Sequence, residues 1–427
     1  MQKSNRIMRV CVAAALAGGT SAALAAGFAL TEQNASGLGN AYAGQAAAAE
    51  NASTIWFNPA GMSRLQGTQV SGSLSAIRPS AVLSVDPTRS AAPLGGAFTN
   101  GGDAGGRWNY LPAAYVSYQF NPDWWFGLGV TSPFGLSTEY DGFFVGRFQS
   151  RKAEIRTYDI NPSIAYKVNN WLAVGGGLSY QHATIKVLRS ANLGAEGFSN
   201  LTTSDSQFGY NLGAMINPTP NTRIGLTYRS SLSYALTGTV QVTTAAGAVV
   251  ATPSILMNAR TPDSWSVAFA HTPYDRWEVL GDFTWTNWST VKDIPVTATS
   301  ASALGAVGAG LSVFNFQFKD SYRLGVGANY KWTDSFMLKL GIAHDKSPAG
   351  DNRLVTLPDN DRTWLAIGGK YRVSQAGTLD FGYAHLFIKN ATISQLGGVG
   401  GPPASGNVVG TYKDKVDIVS VQYTHSF

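Results

Sequence analysis

Residues 321–332 read SYRLGVGANYKW, and the alternation in this stretch decides the fold class. Every second residue is apolar, and these residues are Tyr322, Leu324, Val326, Ala328, Tyr330 and Trp332. The residues between them are small, polar or charged. A period of two is that of a β-strand, because successive side chains point to opposite faces. Aromatic residues at both ends of the apolar row are typical of a strand that crosses a bilayer between its two interfaces.

The same alternation recurs along the whole chain. It is found in WLAVGGGLSYQ (171–181), FMLKLGIAH (336–344), LDFGYAHLF (379–387) and VDIVSVQYTHSF (416–427). Charged residues make up 13% of the chain, which is about half the usual share in soluble proteins. A secreted β-sandwich could alternate in the same way, but it buries its apolar face and needs no aromatic belts. We therefore predict an all-β protein whose strands expose one face to lipid.

The connections between the strands predict how many there are. Short turns rich in Pro, Asn, Asp and Gly fall at 121–123, 168–170, 217–221, 272–276, 333–335 and 374–377. Long connections fall near 78–110, 137–150, 190–204, 242–254, 292–316, 346–360 and 394–411. Short and long connections alternate strictly, which predicts a 14-stranded antiparallel transmembrane β-barrel. Outer-membrane barrels have this arrangement, with the short turns on the periplasmic side.

The first 25 residues have the layout of a secretory signal peptide. Basic residues precede an apolar run, and Ala23-Leu24-Ala25 forms a small-x-small cleavage site. Removal of residues 1–25 would take away Cys11, the one cysteine of the sequence, so we expect no disulfide. It would also lower the formal net charge of +6, which leaves no argument for nucleic-acid binding. Because the chain is expected to be exported and to form a barrel, we predict that it lies in the Gram-negative outer membrane, in contact with its lipids.

Residues 26–66 remain between the signal peptide and the first strand. They are too few to hold a core of their own, whereas a fourteen-stranded barrel is wide enough to contain a plug. We therefore predict a small N-terminal helical hatch at 26–66, inside a barrel formed by 67–427. Within the hatch, the Ala-rich stretch from Ala41 to Glu50 favours a short helix that Asn40 could cap.

The third predicted strand contains an interruption. WWFGLGV (124–130) alternates well, and Ser132, Pro133, Phe134 and Gly135 then break the pattern. Proline cannot complete a ladder and belongs at an edge or a bulge. A closed barrel has no edge, so an interruption inside the strand would open its wall. The alternative is a strand that ends at Val130 and is followed by a loop.

Several motifs together resemble a known family. They are AGF (26–28), SGLGNAYAG (36–44), FNPAG (57–61), VTSPFGLSTEY (130–140), NPSIAYKVNNWLAVGGGLSYQ (161–181) and LTYRS (226–230). The chain resembles the FadL/TodX (OMPP1) family of outer-membrane transporters over its whole expected mature length. The resemblance implies a hatch-plugged barrel that passively carries a hydrophobic ligand, either a long-chain fatty acid or an aromatic hydrocarbon of the toluene type.

The resemblance also implies roles for particular residues. Asn58, Pro59 and Ala60 would anchor the hatch in the lumen. The interruption at 132–135 would be a kink through which the ligand leaves sideways into the membrane. Phe28 would fill part of the ligand pocket and gate it, although an ordinary packing role for Phe28 is equally open.

Two sets of residues are candidates for contact with the ligand. The first set lies in the apolar loop DGFFVGRF (141–148) and comprises Phe143, Phe144 and Phe148. The second set comprises the cations that the alternation turns inward, namely Arg229, Arg323, Lys339 and Lys370. These cations would either meet a carboxylate ligand or form salt bridges inside the barrel.

Other function classes fit the sequence less well. A polar-solute porin would share the barrel but would need an open lumen without a hatch. The sequence has neither a G-x-S-x-G motif nor a metal-type histidine pair, so we expect no enzyme activity, no catalytic residues, no metal and no cofactor. A purely structural or adhesion barrel would not explain a hatch together with a kink. We expect a monomer.

Overall fold

The structure is a computed structural model that describes residues 27–351, 353–397 and 405–427. The predicted signal peptide, residues 1–25, lies outside the described residues. Within them, fourteen antiparallel strands form one closed barrel, which confirms the predicted fold class. The first and last strands close the barrel through a ladder that runs from Gln69↔Ser426 to Val85↔Gly410.

The strands are numbered β1 to β14, and six of them consist of two segments. Their bounds are β1 Thr68–Val85, β2 Asn109–Gln119, β3 Trp124–Thr131 and Gly135–Glu139, β4 Lys152–Lys167, β5 Leu172–Asn192, β6 Glu196–Thr219, β7 Thr222–Arg229 and Ser233–Thr244, β8 Ser254–Arg260 and Ser264–Tyr274, β9 Trp277–Thr286 and Asp293–Ala298, β10 Gly310–Asn315 and Ser321–Lys331, β11 Phe336–Asp345, β12 Arg362–Arg372, β13 Gly377–Ile388 and Ala391–Gln395, and β14 Val408–Ser426. A short extension, Val249–Ala251, pairs with the outer end of β7.

Exposure alternates along the strands as the sequence predicts. On β10, Val326 is 57% exposed, whereas Asn329 is 1% exposed and faces the lumen. Aromatic rings form belts at two heights on the outer surface. Trp277 and Tyr330 pack 4.7 Å apart, measured between ring centroids, at the short-turn end. Tyr228 and Trp265 pack 4.4 Å apart near the opposite end. The belts mark the two interfaces of a bilayer.

The hatch fills the lumen with short helical turns. They are the 3₁₀ turn Leu38–Asn40, helix α1 Gln45–Ala48, helix α2 Thr54–Phe57 and the 3₁₀ turn Pro59–Arg64. Among the described residues, no helix is long and apolar enough to cross a membrane. Most of the hatch is buried against the inner face of the barrel, which provides the surroundings that so short a segment needs in order to be ordered.

The predicted helix from Ala41 to Glu50 is wrong in extent, since only Gln45–Ala48 is α-helical. Ala41 and Tyr42 have left-handed backbone conformations, so they cannot belong to a right-handed helix. The barrel wall determines this path. The guanidinium group of Arg323 donates a hydrogen bond to the carbonyl of Ala41, and Asp282 accepts one from the amide of Gly44 at 3.2 Å.

The predicted long loop at 190–204 is also not a loop. β5 and β6 continue as an antiparallel ladder until Asn192 faces Glu196, and a tight turn joins them. Gly194 supplies the left-handed conformation that the turn requires. The small polar residues that suggested a loop form strands that extend well beyond the aromatic belts.

Candidate ligand-binding pocket and wall interruption

The third strand is kinked between its two segments. β2 pairs with β3 only up to Ala114↔Val130, whereas β3 resumes its pairing with β4 at Gly135↔Arg156. In the described chain, 109–113 of β2 therefore have no ladder partner on β3. The wall is interrupted between β2 and β3 beside the Ser132-Pro133-Phe134 stretch.

The hatch supplies the hydrogen bonds that the kinked strand loses. The amide of Leu30 donates to the carbonyl of Pro133 at 2.8 Å, and the amide of Gly135 donates to the carbonyl of Phe28 at 2.8 Å. The side-chain amide of Gln33 donates to the carbonyl of Ser132 at 2.8 Å. Buried backbone groups need partners, so the first described residues of the chain act as a short strand that occupies the interruption.

Phe28 lies where the hatch meets the kink. Its ring makes edge contacts with Phe134 and with Trp288, at centroid distances of 5.9 Å and 4.8 Å. Phe316 and Phe318 of the β10 break complete the aromatic cluster around it. Phe28 is 8% exposed. The structure thus places a large apolar side chain between the kink and the interior of the barrel.

An apolar pocket lies above Phe28, on the long-loop side of the hatch. It contains about 800 Å³ of space, including the part that is open at its mouths. Its wall is mainly aliphatic and aromatic and includes Leu136, Ile155, Val187, Leu236, Met257 and Phe314. A size of this order is typical of sites for small molecules.

A second cavity, of about 1050 Å³ including its open part, lies beside the hatch. Pro133 and Phe134 line this cavity, and Phe134 also lines the apolar pocket. Phe134 of the kink therefore borders both spaces.

Asn58, Pro59 and Ala60 dock on β5 and β6. The side-chain amide of Asn58 donates to the carbonyl of Ala214 on β6 at 3.0 Å and to the carbonyl of Ala46 in the hatch at 2.7 Å. Its oxygen accepts a hydrogen bond from the amide of Ala60 at 3.1 Å. One side chain thus fixes the turn, the rest of the hatch and the barrel wall relative to one another.

Two cross-strand glycines make room for this turn. Gly175 and Gly213 face each other on β5 and β6. A Cβ atom on Gly213 would lie 2.1 Å from Oδ1 of Asn58, and one on Gly175 would lie 2.6 Å from the amide nitrogen of Ala60. Neither approach is possible for a larger residue, so the glycine pair forms a seat for the turn.

The structure brings three of the four candidate cations into ion pairs. Lys339 and Lys370 contact the hatch carboxylate Glu50, with a Lys339 Nζ–Glu50 Oε2 distance of 2.8 Å. Asp380 lies 3.6 Å from the same Lys339 nitrogen. Arg323 pairs separately with Asp282 at 2.9 Å and with Asp345 at 3.2 Å.

Arg229, the fourth candidate cation, meets the hatch in a different way. Its guanidinium group lies 3.6 Å from the ring centroid of Trp56 and donates to the carbonyl of Trp56 at 2.8 Å. All four cations therefore contact hatch residues or carboxylates of the wall, and none of the four lines the apolar pocket.

The charge on Glu50 depends on its two lysine partners. Glu50 belongs to the hatch, and burial alone would raise its pKa. Lys339 and Lys370 outweigh that effect and lower the pKa of Glu50 to about 2, because nearby positive charges favour the carboxylate. The hatch is thus fastened to β11 and β12 by an ionised group at neutral pH.

The three loop phenylalanines have different surroundings. Phe143 is 70% exposed, whereas Phe144 and Phe148 are buried. Phe144 stacks on Tyr140 with ring centroids 4.0 Å apart. Phe148 lines a groove between the outer ends of β5, β7 and the β9–β10 connection. The three residues therefore do not form a single site.

Several site residues were missed by sequence reasoning. Trp288, Phe316 and Phe318 surround Phe28, but they lie in or beside the stretch 292–316, for which the sequence predicts only a long connection. In the hatch, Gln33 binds the kink and Glu50 binds Lys339 and Lys370. No local sequence pattern marks either residue. One feature of the sequence does indicate this region: Thr261-Pro262-Asp263 interrupts β8 with a proline, as Pro133 interrupts β3.

These features define a class of protein: an outer-membrane barrel plugged by its own N-terminal segment, with an apolar pocket inside. The family model described as "Outer membrane protein transport protein (OMPP1/FadL/TodX)" matches residues 16–427. The chain belongs to this family, whose members transport hydrophobic compounds across the outer membrane.

Individual relatives agree with this assignment. The "47 kDa outer membrane protein" of Pasteurella multocida (strain Pm70) is 30% identical, covering 96% of this chain and 98% of the relative. The "Long-chain fatty acid transport protein" of Escherichia coli (strain K12) is 26% identical, covering 92% and 95%. The crystal structure of a Pseudomonas aeruginosa FadL homologue superposes with a TM-score of 0.86 at 20% identity, covering 94% and 100%.

Proposed function

We propose that the protein carries long-chain fatty acids, or lipophilic molecules of similar shape, passively from the outside into the outer membrane. The observation that carries this proposal is the apolar pocket above Phe28, closed below by the hatch and lined mainly by aliphatic side chains. The relative from Escherichia coli that is named for long-chain fatty acid transport supports the same ligand class.

The size of the pocket favours a chain over a single ring. Each methylene group that leaves water contributes about 0.8 kcal/mol, which corresponds to an increase in affinity of about fourfold. A long alkyl chain can therefore gain affinity step by step until it fills the pocket. No energy source is required, because transfer follows the gradient of the ligand.

We further propose that release is lateral, through the interruption between β2 and β3. Residues 28–30 occupy that interruption with two backbone hydrogen bonds, at Leu30 and Gly135. Such bonds contribute about 0.5–1.5 kcal/mol each. A ligand that displaces Phe28 offsets this cost by its own burial, and the segment can then leave the kink.

Aromatic hydrocarbons of the toluene type are a second candidate. The observation that favours them is the floor of the pocket, where Phe28, Phe134, Trp288, Phe316 and Phe318 form a cluster of rings. Edge-to-face contacts of this kind suit a small aromatic ligand.

Ligand binding by the purified mature protein in nanodiscs separates the two candidates. We expect the dissociation constants of saturated fatty acids to fall about fourfold with each added methylene, up to a limiting length, and toluene to compete weakly. Toluene binding with no dependence on chain length would support the aromatic ligand instead. Failure to bind any hydrophobic ligand, with high conductance to ions and sugars, would favour a porin and contradict the proposal.

Lateral release is tested by a disulfide across the interruption. Ala29 and Phe134 form an isolated antiparallel bridge, and the hydrogen bonds that flank it make them a non-hydrogen-bonded pair, the closer kind. We expect the double variant Ala29→Cys/Phe134→Cys to bind fatty acid but to pass it into liposome membranes only after reduction. Each single cysteine variant is the control. Transfer by the oxidised protein at the rate of the reduced one would contradict lateral release at this place.

A further inference from the structure

The barrel wall has a second interruption, between β8 and β9. The two strands pair up to Ser264↔Thr286 and again at Ile255↔Ala298 and Leu256↔Thr297. Between these points, 257–262 and 288–296 have no ladder pairing with each other in the described chain. The interruption lies directly beyond the outer aromatic belt at Trp265, so it is at the level of the outer-leaflet headgroups.

The interruption exists because β9 turns inward while β8 does not. After Thr286 the chain forms the 3₁₀ turn Trp288–Thr290, which places Trp288 inside the barrel with 1% exposure. β10 follows β9, since the amide of Phe316 donates to the carbonyl of Lys292 at 2.9 Å. β7 stays bonded to β8, through the amide of Thr261 and the carbonyl of Leu232 at 2.9 Å. The wall therefore parts only on the β9 side of β8.

The interruption lies beside the apolar pocket. A cavity of about 800 Å³, including its open part, lies along it. Tyr234, Ala259, Arg260, Val291 and Ile294 line both this cavity and the apolar pocket. The two spaces thus share a wall of five residues, with the outer surface of the barrel on one side and the aromatic cluster around Phe28 on the other.

A positively charged residue, Arg260, lies at the outer mouth of the interruption between β8 and β9. Arg260 is exposed, and its guanidinium group donates to Oγ of Ser231 at 2.8 Å. Among residues 27–351, 353–397 and 405–427, no carboxylate forms an ion pair with it. Lys292 is exposed on the opposite edge, beside Asp293, whose carboxylate accepts a hydrogen bond from Gln317 at 2.8 Å. Arg260 differs in this respect from Arg323, Lys339 and Lys370, which are paired with carboxylates.

We propose that the interruption between β8 and β9 is a side entrance for a long-chain fatty acid, an amphiphile with a negatively charged head. The ligand passes from the outside, at the level of the headgroups, into the apolar pocket while Arg260 holds its carboxylate. The proposal rests on the function proposed above and adds a route and a headgroup contact to it. Guanidinium and carboxylate groups form strong bidentate hydrogen bonds, and the alkyl chain meets apolar side chains immediately inside.

The same geometry links the entrance to the exit. Trp288 of the β9 turn and Phe134 of the β3 kink both contact Phe28. A chain that arrives between β8 and β9 reaches Trp288 first and displaces Phe28 from its contacts. The residue that closes the β3 interruption is therefore loosened by a ligand that enters on the other side of the barrel.

Matched ligands and variants test the entrance. The probes are palmitate and hexadecanol, which have the same chain length but differ in charge, with association measured by stopped flow on protein in nanodiscs. We expect Arg260→Gln to weaken palmitate binding about tenfold and to leave hexadecanol unchanged. The control is Arg276→Gln, an exposed arginine in the turn at the other end of the same strands, which we expect to change neither.

A second variant tests the passage itself. Ala259→Phe adds a ring where the two cavities meet, so we expect slower association of both probes. Arg260→Gln carries the test alone if Ala259→Phe does not fold, as judged by circular dichroism and heat-modifiable gel mobility. Equal effects of Arg260→Gln on acid and alcohol, or no effect of either variant, would overturn the entrance while leaving the proposed function intact. Absence of binding by the unmodified protein would overturn both, and a phospholipid or lipopolysaccharide chain found by native mass spectrometry in the passage would show a lipid seal instead of an entrance.

Discussion

Substitution of Gly213 by alanine should dislodge the hatch, because the fit between the barrel and the Asn58 turn leaves no space for a methyl group. The new Cβ would lie 2.1 Å from Oδ1 of Asn58, and real Cβ contacts essentially never fall below 3.0 Å. Either the Asn58 side chain or β6, which carries Gly213, must therefore move by about 1 Å. Such a shift breaks the 3.0 Å hydrogen bond from Asn58 to Ala214.

The cost of this shift follows from the bonds involved. Asn58 makes three side-chain hydrogen bonds that connect the turn, the hatch and β6, and all three fail if the side chain rotates away. At about 1 kcal/mol each, with about 1–3 kcal/mol of overpacking strain, the hatch should lose about 4–6 kcal/mol of docking free energy. A plug that is weakened this much should open measurably often.

Planar bilayer recordings provide the assay, because displacement of the hatch opens a path for ions. We expect frequent openings in Gly213→Ala and rare ones in the unmodified protein. Gly176→Ala is the matched control, since this lipid-facing glycine on β5 would place its Cβ 3.3 Å from a flexible leucine side chain. Asn58→Ala removes the clashing oxygen, so adding Gly213→Ala to that background should cost little more. If Gly213→Ala opened as rarely as Gly176→Ala in these recordings, the reasoning would be refuted.

Other predictions concern the remaining contacts of the hatch and the ring of Phe28. Glu50→Gln should destabilise hatch docking by about 3–5 kcal/mol, because it removes the hatch carboxylate and leaves two buried lysines with only Asp380 nearby; protease cleavage of the hatch measures this. Because the pKa of Glu50 is lowered to about 2, the ion pair should stabilise docking fully above about pH 4.5, and this contribution should be lost as the pH falls towards 2; conductance recorded at successively lower pH follows it. The combined variant Asn58→Ala/Pro59→Ala should weaken hatch docking by about 1–3 kcal/mol. We expect it to increase the conductance at normal expression. Phe28→Ala should speed ligand release roughly tenfold to a hundredfold, since a buried phenylalanine contributes about 1.5–3 kcal/mol, and Phe143→Ala in an exposed loop should leave the rate unchanged.

The barrel could be predicted from the sequence because lipid acts on every residue of a strand in the same way. The alternation at 321–332 is enforced residue by residue, since a polar side chain on the lipid face is costly wherever it falls. The same logic placed Lys339 and Lys370 in the lumen correctly. Periodicity predicts only the direction of a side chain, however, and the hatch partner of both lysines is Glu50, which is about 300 residues away in the sequence.

The path of the hatch could not be predicted, because its local preferences are overruled by the wall. Ala41 to Glu50 has the composition of a helix, but Arg323 and Asp282 of the barrel bind its backbone and force Ala41 and Gly44 into left-handed conformations. The break in β9 could not be predicted from the sequence for a related reason. Trp288 reads as an ordinary girdle aromatic, and only the three-dimensional arrangement shows that its ring turns inward against Phe28.

The hatch must be held firmly enough to plug the barrel and loosely enough to release a ligand, and its contacts are divided accordingly. The part from Ala41 to Ala60 is fastened by an ionised carboxylate, by Arg323 and by the Asn58 bonds, which resist displacement because breaking them leaves buried charges or polar groups unpaired. The part at 28–30 is held by two backbone bonds and ring contacts, which an alkyl chain can replace with contacts of its own. Movement can therefore be confined to the first residues, beside both wall interruptions, while the plug stays in place. The lateral release proposed above requires such a division, because the ligand must leave sideways without opening a path for water through the barrel.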